Sequence, residues 1–101
     1  MSDTSSSIRA CSNGEAVIET QGGLYHLSRE EIHELLFFGR QIPLRQQSSI
    51  IDGTSIIYQT PSGLGIIICT GSGSYHISRK SFVLVASGEI VSSPLIAISM
   101  G

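Results

Sequence analysis

The sequence predicts an α+β domain in which two pseudo-symmetric β-β-β-α-β repeats share one core, mainly antiparallel sheet with two short helices. Three observations carry this reading. Thr20 to Arg29 laid over Thr70 to Arg79, a shift of 50, matches at six of ten positions: Thr20/Thr70, Gly23/Gly73, Tyr25/Tyr75, His26/His76, Ser28/Ser78 and Arg29/Arg79. Turn-forming glycines recur on both sides of short apolar runs. In both halves a serine stands before an apolar stripe of helical period. With 101 residues the chain has room for one modest core, so the two halves have to build it jointly.

In order along the chain, residues 1–7 are polar and serine-rich and read as a disordered start, with residues 8–101 as a single domain, repeat one over about 8–50 and repeat two over about 51–101. Asn13-Gly14 and Gln21-Gly22-Gly23 mark turns between three strands, Ile8 to Cys11, Glu15 to Thr20 and Leu24 to Leu27. Ser28 with Glu31 forms a Ser-x-x-Glu capping box, and Ile32, Leu35 and Leu36 give the helix its apolar face. A last strand spans Gln41 to Gln46, and Gln46 to Ser49 reads as a connector.

Repeat two has strands at Ser55 to Thr60, Gly65 to Thr70 and Ser74 to Ile77, with turns at Pro61-Ser62-Gly63 and Gly71-Ser72-Gly73. Ile56-Ile57-Tyr58 and Ile66-Ile67-Ile68 are β-branched or aromatic throughout, as expected of strands covered on both faces. Ser78 caps the second helix, where Phe82, Val85 and Ala86 keep the frame of the first. Phe82 to Val85 is nevertheless apolar all round and rich in poor helix formers, so residues 82–87 read as helix by analogy with repeat one alone. Ile90 to Met100 supplies the last strand.

Only 14% of the residues are charged while 41% are hydrophobic, and mean hydropathy is +0.23. The second half carries just Asp52, Arg79, Lys80 and Glu89; the other six acids and four bases lie in residues 1–50. A small surface this poor in charge is expected to cover apolar area with a partner, most simply a second copy in a homodimer, although 18 serines supply some polarity. A formal charge of −2 does not provide the basic footprint of a duplex binder. Cys11 and Cys69 lack metal-ligand spacing, and the chain shows neither a secretory leader pattern nor an apolar run long enough to cross a bilayer. The expectation is a cytoplasmic protein with reduced cysteines, no membrane association and no cofactor.

The Tyr-His pairs are the most suggestive constellation. Alternation sends Tyr25 to the core and His26 to the other face, with Tyr75 and His76 alike. His26 and His76 are candidates for a ligand or metal contact, but Glu30 and Glu31 have no acidic counterparts in repeat two, where Lys80 and Ser81 stand, so a metal is not expected. Arg29 and Arg79 open their helices, where a cation opposes the helix dipole. They are candidates for an anion contact shared with the helix amides, or for an ion pair. Gly71-Ser72-Gly73-Ser74 lacks the spacing of a phosphate-binding loop, and no nucleophile motif is present. Phe37, with Val83 and Leu84, is the candidate oligomer interface.

These residues point to a non-catalytic interaction module acting as a homo-oligomer that binds a protein or small ligand. Residues 41–87 also parse as a β-β-β-β-α block, and paired blocks of this kind resemble the topology of PC4-like and Whirly-like single-stranded-DNA-binding proteins. That resemblance implies a positive groove with a stacking ring, for which Arg9, Arg40, Arg45, Arg79, Lys80 and Tyr58 are the available residues, within an excess of acids.

Overall fold

Asn13 and Gly14 both take positive φ, 68° and 76°, and so reverse the chain between β1 (Ser7–Ala10) and β2 (Ala16–Thr20). β3 (Gly23–Leu27) pairs antiparallel with β2 and leads into α1 (Arg29–Phe38). The computed structural model describes residues 6–21, 23–46, 55–71 and 73–98. The capping box forms as the sequence predicts: the Glu31 amide donates to Ser28 Oγ at 3.1 Å and the Ser28 amide to Glu31 Oε1 at 2.9 Å. Gly39 ends the helix with φ 65°, a left-handed conformation that a side chain would strain. After β4 (Ile42–Pro43) and β5 (Arg45–Gln46), the second half follows as β6 (Ile56–Gln59), β7 (Gly65–Thr70), β8 (Gly73–Ser78), α2 (Arg79–Ala86), β9 (Ser92–Pro94) and β10 (Ile96–Ala97).

The chain is thus an α+β fold with two antiparallel five-stranded sheets, ordered β5-β3-β2-β1-β9 and β10-β8-β7-β6-β4. Elements in corresponding places of the two halves take corresponding places in the two sheets. The pairing agrees residue for residue in the central hairpins, where Ile18 faces Tyr25 and Ile68 faces Tyr75. The expected last strands, Gln41 to Gln46 and Ile90 to Met100, are each broken in two and shared between sheets, Ser99 and Met100 of the second lying outside the described residues. β4 borders the sheet of the second half and β9 the sheet of the first. Pro43 and Pro94 have no amide hydrogen to donate and sit in these edge strands. The next residues, Leu44 and Leu95, turn into the core, their amides donating to Ser55 and Ser6 carbonyls at 2.9 and 2.8 Å.

This exchange of edges leaves one apolar cluster drawn from both halves. It includes Ile8, Ile18, Tyr25, Leu27 and Leu35 from the first and Ile57, Ile66, Ile68, Phe82 and Val85 from the second. α2 is a helix despite its composition, because burying Phe82 and Val85, roughly 1.5–3 kcal/mol each, outweighs propensity penalties of up to about 0.7 kcal/mol per residue.

Two expectations need correction. Ser6 and Ser7 are not part of a disordered start: Ser6 is buried and Ser7 opens β1, paired with Glu19 and Pro94; the rest of that expected segment lies outside the described residues, as does the connector beyond Gln46. β6 and β7 are not covered on both faces. Ile57, Ile66 and Ile68 face the core, whereas Ile56, Tyr58, Ile67 and Cys69 lie half-buried on the outward side, because both helices bury their stripes in the one core cluster. No helix among the described residues is long and apolar enough to cross a membrane.

Candidate functional site

The strongest local feature is a cleft beside the start of each helix, built from the preceding hairpin turn and the first helical residues. In the first half it is lined by Asn13, Glu15, Ser28, Arg29 and Glu30 and continues along the helix past His33, Glu34 and Phe38. In the second half the matching cleft is lined by Gly63, Leu64, Ser78, Arg79, Lys80, Val83 and Leu84. A shift of 50 carries Glu15 to Gly65, Glu30 to Lys80, His33 to Val83 and Glu34 to Leu84. The same backbone therefore presents carboxylates in one half and a lysine with aliphatic side chains in the other.

His26 and His76 do not converge. His26 lies on the outward face of one sheet, opposite Val17 and Arg45, and His76 on the outward face of the other, opposite Ile67 and Ile96. Their strand neighbours Tyr25 and Tyr75 both point into the core between. His26 Nε2 meets Glu15 Oε1 at 3.0 Å, across the hairpin. At the Glu15 position of the second half stands Gly65, and the His76 ring occupies the space a side chain would need: a Cβ there would overlap His76 Nε2. No group of three or more His, Cys, Asp or Glu residues among those described is arranged to hold a metal ion.

The two arginines also part company. Arg79 Nη2 donates to the Leu36 carbonyl at 3.4 Å, so the cation opening α2 lies at the carbonyl end of α1, where the helix dipole favours it. Gln59 works at the same place, its Nε2 donating to the carbonyls of Leu35 at 2.6 Å and Leu36 at 3.2 Å. Arg29 instead runs its aliphatic chain past Gly14, where a built Cβ would stand 3.0 Å from its Cδ. Among the described residues it forms no ion pair with Glu30 or Glu34.

The candidate interface residues lie on the outer sides of the helices. Phe37 is 71% exposed and Phe38 63%, and His33 packs beside both, with ring centroids 4.7 and 5.6 Å away. The Arg40 guanidinium stands 5.6 Å from the Phe38 ring centre. Val83 and Leu84 are half-buried at the second cleft, next to Leu64, which is 77% exposed. Sequence reasoning passed over Leu64, Val91 and Ile96, all more than 60% exposed. The signal for Leu64 was its place between the turn glycine Gly63 and the start of the strand at Gly65, where an apolar side chain has no strand face to occupy.

The basic residues considered for a single-strand groove are spread over several elements. Arg9 pairs with Glu19 at 3.4 Å on the first sheet, Arg40 lies at Phe38, and Arg79 is turned to Leu36. Tyr58 is on the outward face of the second sheet beside Cys69; burial first, and then the neighbouring thiol, raise its phenol above the ordinary value. No protein-family model matches the chain, and neither does any curated protein or solved structure.

Proposed function

We propose that this chain is a non-catalytic interaction module that acts as a homo-oligomer. The observation that carries the reading is a set of five large apolar side chains held in water among the described residues: Phe37, Phe38, Leu64, Val91 and Ile96, each at least 63% exposed. Isolated exposed residues need no explanation, but Phe37 and Phe38 adjoin one another, and Leu64 adjoins Val83 and Leu84. Covering each such side chain is worth roughly 1.5–3 kcal/mol. Several together are of the size needed to offset an association cost of about 4–15 kcal/mol. The low charge of the second half supports the same reading, since it leaves little to keep copies apart. Light scattering on the chain carrying Val83→Glu tests it. The expected result is a lower mass than wild type, and an unchanged oligomer would count against the proposal.

A further inference from the structure

Resting on the oligomer reading above, we infer that the interface pairs unlike helices: the acidic outer face of α1 in one copy docks on the basic, apolar outer face of α2 in a second copy. The two clefts occupy equivalent places beside α1 and α2 but differ in sign. α1 carries Glu30, Glu31 and Glu34 against Arg29, with Arg40 two residues past its end, whereas α2 carries Arg79 and Lys80 and no acid, with Glu89 three residues past its end. Glu31 is engaged by the capping box, Arg29 folds along Gly14, and Arg40 lies at Phe38. Arg79 is turned to the Leu36 carbonyl. What remains unpaired among the described residues of these faces is Glu30 and Glu34, one turn apart on α1 and outnumbering the one exposed guanidinium beside them, that of Arg29, and on α2 Lys80.

Like-with-like docking is disfavoured on both sides. An α1–α1 contact sets the carboxylates of Glu30 and Glu34 against their own copies. An α2–α2 contact brings two lysines together, each already at the positive end of a helix. Docking α1 on α2 sets carboxylates against Lys80, relieves that concentration of positive charge, and lays Phe37 and Phe38 against Leu64, Val83 and Leu84. Each copy carries both faces, so a two-fold arrangement makes the contact twice and closes.

The test uses two charge-reversed chains, one with Glu30→Lys and Glu34→Lys, the other with Lys80→Glu. Each alone is expected to associate at least about tenfold more weakly than wild type in sedimentation velocity, because every helix pair then opposes like charges. An equimolar mixture is expected to recover association, since the basic α1 of one finds the acidic α2 of the other. Wild-type association by either variant alone, or a mixture that stays dissociated while far-UV circular dichroism shows both folded, overturns the pairing and leaves the oligomer reading standing. A monomeric wild type overturns both. Should a reversed chain fail to fold, Glu30→Gln with Glu34→Gln and, separately, Lys80→Gln must each weaken association in a salt-dependent way, and a neutral variant that associates like wild type overturns the pairing.

Discussion

Replacing Gln59 with leucine removes a brace that ties the second half of the chain to the helix of the first. The last four carbonyls of α1, Leu35 to Phe38, have no amide ahead of them in the helix. The Gly39 and Arg40 amides both go to the Glu34 carbonyl instead. Gln59 satisfies two of the four with the two hydrogens of one amide group, at 2.6 Å to Leu35 and 3.2 Å to Leu36. Each bond is worth about 1 kcal/mol net, so Gln59→Leu should cost about 2 kcal/mol. For a domain of this size that lowers Tm by roughly 8–16 °C. The assay is thermal unfolding followed by far-UV circular dichroism at fixed chain concentration, since association itself shifts Tm. A drop of less than about 2 °C for Gln59→Leu would refute the reasoning.

Gly65→Ala should destabilise by about 1–3 kcal/mol through overlap with the His76 ring, and most of that loss should vanish in a His76→Ala background; an equal loss in both backgrounds would place the strain in the strand itself. For Tyr58, the folded phenol titrates above its ordinary value of 10.0, so the folded state holds this proton more tightly. Its contribution is therefore fully present below about pH 10 and lost as pH rises through the folded value, and Tyr58→Phe should flatten the alkaline limb of unfolding free energy against pH. Single-stranded oligonucleotides should not be retained with the chain on a filter at low salt, since Arg9 and Arg79 are already engaged; retention there would revive a nucleic-acid role.

The hairpins and the first helix were legible in the sequence because local chemistry determines them, and the second helix only through its likeness to the first. Asn13-Gly14 and the Ser28/Glu31 box mark turn and start within a few residues, and the structure agrees with each to within a residue or two. The break in the last strands was not legible. It depends on Pro43 and Pro94 finding edges in the opposite sheet, a pairing between residues far apart in sequence such as Ser7 and Pro94. The contact of Arg79 was not legible for the same reason: it reaches a main-chain carbonyl 43 positions away, which no side-chain pattern announces. The outward face of β6 and β7 read as covered because isoleucine runs look alike whether buried on one side or two. At the candidate site, Phe37, Val83 and Leu84 were accessible to reasoning from helical spacing alone. That the two helix-start clefts match in place and oppose in charge emerged only when the turn residues Asn13 and Gly63 were seen beside their helices.

Everything proposed for this chain turns on its mass in solution. Sedimentation equilibrium of the wild-type chain over a wide range of concentrations should give a weight-average mass of at least twice the 10.8 kDa of one chain, falling towards one chain as salt is raised. A mass that stays at 10.8 kDa at every concentration would contradict it.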